Sequence, residues 1–179
     1  MIALIIIGVV VLVIVIWYIS TSNALNRAVV KIDEADSGID VALTKRYDVL
    51  TKMLETVKGY AKHEKETIVE SINLRKGMTL PEKTEINNKM TDAFTKLNVV
   101  AENYPDLKAS ENFKALQLSI ADVEEHLQAA RRLYNANVST FNQMIVTFPT
   151  SIIANSKGLT KKDFFEVEEN KKQDVEIKF

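Results

Sequence analysis

Hydrophobic and polar positions divide the chain into a uniformly apolar head and a periodic remainder. Met1 to Ile19 contains no charged or strongly polar side chain. A helix of that length measures about 28 Å at 1.5 Å per residue, against a hydrocarbon core of roughly 30 Å. Fourteen of these residues are Ile, Leu or Val, which makes insertion favourable by roughly 4–8 kcal/mol on the translocon scale. Trp17 and Tyr18 fall where an interfacial aromatic belt belongs. The pattern predicts a transmembrane anchor over residues 1–20.

Beyond Ser20 the apolar residues recur at alternating steps of four and three. Leu25, Val29, Ile32, Asp36, Ile39, Leu43, Arg46, Leu50, Met53, Val57 and Tyr60 form one seam, with Asp36 and Arg46 as its charged intruders. The stripe then drifts to Ala61, Ile68 and Ile72, as a straight helix of true period 3.6 requires. This predicts a helix from about Asn23 to Lys76, with a kink near Gly59. Gly77 stops it, and Thr79-Leu80-Pro81-Glu82 has capping-box spacing for a second helix. That helix carries Ile86, Met90, Ala93 or Phe94, Leu97, Ala101 and Tyr104, and Pro105 closes it by forcing its predecessor out of the α region.

Ser110 is the expected N-cap of a third helix with the cleanest seam in the chain. Its stations are Phe113, Leu116, Ile120, Val123, Leu127, Ala130, Tyr134, Asn137, Phe141, Met144 and Phe148. Asn137 is the one polar station, read as a buried amide that fixes register or, alternatively, a ligand contact. From Ser151 onward the pattern decays: Phe164-Phe165 is expected to dock, and a short helix over Lys161 to Lys171 has a poor apolar face. The fold class is therefore all-α: a single transmembrane helix, then an antiparallel up-and-down bundle of long helices. The expected organisation is anchor 1–20, bundle 21–149 and partly packed tail 150–179.

The net charge of −1 argues against a nucleic-acid footprint. The absence of cysteine removes disulfides, thiolate metal sites, cysteine nucleophiles and a lipoprotein anchor together. A cleaved signal peptide normally has a basic n-region and a shorter apolar core; Ser22-Asn23-Ala24 leaves release by cleavage as the competing reading. Arg27 and Lys31 follow the span, and no Lys or Arg precedes it in this sequence, which favours a cytoplasmic soluble domain.

Candidate chemistry is sparse. His63-Glu64 lacks the second histidine of a zinc protease helix, because position 67 is Thr67. Neither His63 nor His126 has the Glu three residues earlier that di-iron bundles need, since Tyr60 and Val123 stand there. No P-loop or Gly-framed serine occurs. Asp33, Glu34, Asp36 and Asp40 cluster just after the anchor, and Asp33, Asp36 and Asp40 share one helix face. They read as a solvated face or as partners of basic residues such as Arg131 and Arg132; the alternative is a divalent cation or a partner protein. No catalytic, cofactor-binding or metal-binding residue and no cofactor is assigned.

The blocks Ile39-Asp40-Val41-Ala42-Leu43-Thr44-Lys45-Arg46-Tyr47-Asp48 and Glu55 to Glu64 resemble the signature of the LemA family. Glu102-Asn103-Tyr104-Pro105-Asp106-Leu107-Lys108-Ala109-Ser110 is similar to that family's second block, and Glu124 through Arg131-Arg132, Tyr134-Asn135, Phe141-Asn142 and Phe148-Pro149 to its closing helix. Thr51-Lys52 replaces the family's Pro-Asn, so a proline kink is not expected there. The stretch from Arg75 to Ile86 also lacks the family's Ala-rich character. The resemblance implies an N-terminal anchor and a helical bundle in bacterial membrane proteins without an established enzymatic activity, and it supplies no catalytic residues. The combined expectation is a non-enzymatic, self-associating scaffold or interaction module. Its partners are the bilayer, through Met1 to Ile19, and a second copy or another membrane-associated protein. Tyr104-Pro105 is the expected corner, and Tyr134-Asn135 and Phe141-Asn142 the polar knots between helices. The alternatives are a metal-binding or enzymatic bundle and a secreted bundle.

Overall fold

The apolar head and the first periodic seam lie in one helix. In the computed structural model, which describes residues 1–59, 72, 74–75 and 77–165, helix α1 runs without a break over Ile2–Lys58. Ser20 to Asn23 contain no proline or glycine, and isolated Ser, Thr and Asn cost a helix only tenths of a kcal/mol each. The helix stops at Lys58, earlier than Lys76: Gly59, a poor helix former, lies in a turn, and Ile72, Leu74 and Arg75 are non-helical. Tyr60, Ala61 and Ile68 lie outside the described residues.

Helix α2 (Leu80–Asn103) begins as its sequence requires. The Glu82 carboxylate accepts the Thr79 amide at 2.7 Å and the Thr79 hydroxyl at 3.0 Å, and it pairs with Arg75. These contacts, led by the Thr79 amide, hold the Glu82 carboxyl below the usual range. Tyr104 takes φ −126° and ψ 85° ahead of Pro105, outside the α region that a pre-proline residue avoids. The chain then makes the short α3 (Pro105–Ala109) and the long α4 (Glu111–Val146). The Ser110 hydroxyl accepts the Phe113 amide at 3.3 Å, the expected cap. Helix α5 (Thr150–Ser156) follows. Gly158, at φ 65°, turns the chain into a non-helical segment. No helix occupies 161–165, and the remainder of that expected helix lies outside the described residues. Among the described residues there is no strand.

The chain forms two compact units, divided at Ser37 in α1 and at Arg131 in α4. The arginine unit comprises Gly38–Arg131 with Phe165. Its core joins Leu50, Met53 and Val57 of α1 to Met90, Phe94 and Leu97 of α2, closed by Leu107 and Phe113. Asp40 meets Lys83 and Arg46 meets Thr91, so here α1 and α2 run in the same direction. Helix α4 runs against α2, with Gln117 opposite Asn98 and Glu124 at the level of Thr91. The antiparallel packing is thus that of α4.

The anchor unit comprises Met1–Ser37 and Arg132–Phe164. Leu25, Ala28, Ile32 and Ala35 of α1 are buried, as are Tyr134, Val138, Phe141 and Ile145 of α4 and Ile153 and Ala154 of α5. The expected α4 seam holds as far as Met144, with Val138 and Ile145 added as a second buried column. Phe148 is the exception: it is 77 % exposed, because α4 ends at Val146 and the helical period no longer places it. Asn137 is half-buried and donates to the Lys31 carbonyl at 2.8 Å, tying α4 to α1.

Candidate functional site: a buried arginine among three helices

The charged intruder of the first seam is the centre of a polar cluster inside the arginine unit. Arg46 is 3 % exposed. Its Nη1 donates to the Asn87 carbonyl at 2.9 Å and to Asn87 Oδ1, and its Nη2 donates to Thr91 Oγ1 at 3.0 Å and pairs with Glu124. The guanidinium also lies over the Phe94 ring, 5.4 Å from its centroid. Six residues earlier on α1, Asp40 pairs at 2.7 Å with Lys83, itself 1 % exposed. Lys83, Asn87 and Thr91 are spaced by four, so they form one polar stripe down α2.

Burial pushes the Arg46 guanidinium down from its ordinary value, and Glu124 pulls it back up. Arg131, lowered by burial and then by Arg46, stacks 4.6 Å from the centroid of Phe165. Its Nε and Nη2 meet no hydrogen-bond partner among the described residues. The cluster therefore sets two guanidiniums beside one carboxylate. Arginine does not give up its proton in proteins, so this chemistry positions and pairs rather than transfers protons. A buried ion pair contributes little net stability, yet removing one partner costs several kcal/mol.

The sequence marked Arg46 as anomalous but left its partners unassigned. Lys83, Asn87 and Thr91 carry a signal, the four-residue polar spacing on α2, but lysine is so seldom buried that spacing alone reads as surface. The acidic cluster is divided. Asp33 and Glu34 are exposed and Asp36 half-buried, while Asp40 pairs with Lys83. Among the described residues no three His, Cys, Asp or Glu side chains are grouped to hold a metal ion. Arg131 lies on Phe165 and Arg132 is exposed. His126 sits on the surface, 3.6 Å from Asp122, and His63-Glu64 lies outside the described residues.

Of the expected polar knots, Asn142 and Tyr134 bond the tail segment. Asn142 donates to the Lys162 carbonyl and accepts the Lys162 amide, both at 2.9 Å. The Tyr134 hydroxyl donates to the Asp163 carbonyl at 3.3 Å. Burial, followed by Asp36, Asp163 and Asp33, pushes the Tyr134 phenol up from its ordinary value. Of the Phe pair, Phe165 is buried and Phe164 is 44 % exposed.

Residues 35–179 match the LemA family. The chain belongs to the LemA family. That match takes in the whole arginine unit, including the Arg46 cluster and the Tyr104-Pro105 corner. Protein LemA of Metamycoplasma hominis is 31% identical over 164 residues, which covers 89% of this chain and 75% of that protein. Magnetosome protein MamQ of Magnetospirillum gryphiswaldense is 26% identical over 74 residues, 41% of this chain. Magnetosome protein MamQ 2 of Paramagnetospirillum magneticum is 28% identical over 75 residues. The chain spans only 27% and 28% of the length of these two magnetosome proteins. LemA membership and the apolar stretch at the start of α1, with a mean hydropathy of 3.3 over its best window, make this a membrane-associated helical protein.

Proposed function

We propose that this LemA-family protein is a single-pass, non-enzymatic scaffold that holds a helical interaction module on the cytoplasmic face of the membrane and associates with further copies of itself. The observation that carries this reading is the unbroken α1. Leu25, the first fully buried residue after the span, lies in the same helix as Ile19, with no linker between them. An anchor continuous with a packed core fixes where a binding surface stands above the bilayer, and confinement to a plane raises the effective concentration of neighbouring copies. Both terminal nitrogens of Arg46 are engaged, by Asn87, Thr91 and Glu124, which suits a register device better than a reaction centre. Arg27 and Lys31 follow the span, which supports the cytoplasmic side.

Because the sequence has no cysteine, single introduced cysteines report cleanly. Lys114→Cys should react with an impermeant maleimide only after cells are opened, and disulfide or maleimide crosslinking at Val41→Cys should trap dimers in intact membranes. Labelling of Lys114→Cys from outside intact cells would reverse the orientation. Absence of crosslinked species at every exposed α1 position would remove self-association.

A further inference from the structure

The corner between α4 and α5 carries exposed apolar residues with no protein cover. Val146 is 59 % exposed, Phe148 77 % and Ile152 55 %. Within the anchor unit the height of this corner follows from two hydrogen bonds to α1. Asn137 bonds Lys31, and Lys157 bonds Asn26 at 3.1 Å. Tyr134, three residues before Asn137, feels Asp33 and Asp36, so α4 runs towards the span as its numbering rises. Lys31 stands about 18 Å beyond Ile19 along α1, and Val146 stands about 14 Å beyond Asn137 in the opposite direction. Val146 thus arrives within about 5 Å of the level where the apolar run ends.

A second observation agrees. The covered face of α1 begins inside the apolar run, at the half-buried Trp17, and continues through Thr21, Ala24, Leu25 and Ala28. Packed protein in this unit therefore reaches down to the aromatic belt.

We propose that the Val146–Ile152 corner is a second membrane contact, seated in the headgroup and acyl boundary beside the span. Phe148 and Ile152 enter the interfacial layer, and Lys157 and Arg27 stand at the level of lipid phosphates. The occupant is the bilayer itself because the exposed patch stands, in the same unit, at the level where the apolar run ends. The proposal rests on the reading of Ile2 to Ile19 as a span, and the test separates the two.

The full chain is reconstituted in vesicles of phosphatidylcholine and phosphatidylglycerol, with and without spin-labelled quencher lipid. An environment-sensitive fluorophore is attached to one of four single-cysteine variants: Phe148→Cys, Ile152→Cys, Leu133→Cys or Leu12→Cys. Leu133 is exposed on α4 well above the corner, and Leu12 lies within the apolar run. We expect quenching at Phe148→Cys and Ile152→Cys to exceed that at Leu133→Cys at least threefold, with the strongest deep quenching at Leu12→Cys. Quenching at Phe148→Cys and Ile152→Cys no greater than at Leu133→Cys, with Leu12→Cys strongly quenched, would overturn the second contact and leave the span intact. A blue-shifted but unquenched Phe148→Cys that depends on protein density would overturn it in favour of a second copy. An unquenched Leu12→Cys would remove the span and the proposal together.

Discussion

The two units draw on the same pair of long helices, α1 and α4, yet fasten them with opposite chemistry. In the arginine unit the polar fastening is ionic, with buried cations meeting part-exposed carboxylates: Arg46 with Glu124, and Lys83 with Asp40. In the anchor unit the side chains of Asn137, Asn142 and Tyr134 donate to backbone carbonyls, Asn137 tying α4 to α1 and the other two tying α4 to the tail. An interior charge is intolerant of losing its partner, whereas a rim amide that loses its acceptor is rescued by water. The first arrangement resists substitution of its members, and the second yields gradually.

The sharpest way to break this contrast is Arg46→Ala. It should lower the unfolding free energy of the full chain in detergent micelles by about 3 kcal/mol, the low end for a broken buried pair, because Glu124 remains 36% exposed. Replacing both partners, Arg46→Met with Glu124→Met, should recover most of that loss. A loss below about 1 kcal/mol in urea titrations of Arg46→Ala would show the cluster to be no more demanding than the rim.

On the anchor side, Asn142→Ala removes both bonds to Lys162 and should cost about 1–2 kcal/mol. The loss should be confined to faster amide exchange over residues 159–165. Protection lost along the whole of α4 would contradict a local tie.

Smaller still are two effects read from pH. The folded state raises the Tyr134 phenol, so the unfolded chain releases that proton first. The contribution is complete below the ordinary tyrosine value of about 10 and is lost as pH rises through the folded value. Tyr134→Phe should flatten the alkaline limb of the stability curve. Glu82 has the opposite sign. Its carboxyl is held down, so its contribution is present above the ordinary value of about 4.3 and disappears as pH falls through the folded value. Glu82→Gln should leave a shallower acid limb, measured by thermal unfolding between pH 3 and pH 6.

Legibility in the sequence followed locality. The caps at Thr79 and Ser110, the Tyr104-Pro105 corner and the seams of α1 and α4 depend on neighbours within a turn or two, and they appear where periodicity placed them. Features that require knowledge of which helices touch were not legible. Arg46 stood out because it broke a seam, but nothing local pairs it with Glu124 or announces that α2 runs parallel to α1. Phe148 failed for a simpler reason: the seam was extended past Val146, where the helix and its period end. The division of the acidic cluster has the same origin, since only the arrival of Lys83 beside Asp40 distinguishes that carboxylate from Asp33 and Glu34.

The absence of a linker between Ile19 and Leu25 has a mechanical consequence. A bilayer thinner than the apolar run forces the span to lean, as mismatched helices do. With no flexible joint to absorb the lean, Leu25, Ala28 and Ile32 must incline by the same angle. In the proposed single-pass arrangement, lipid thickness would in this way be converted into the orientation of a protein surface.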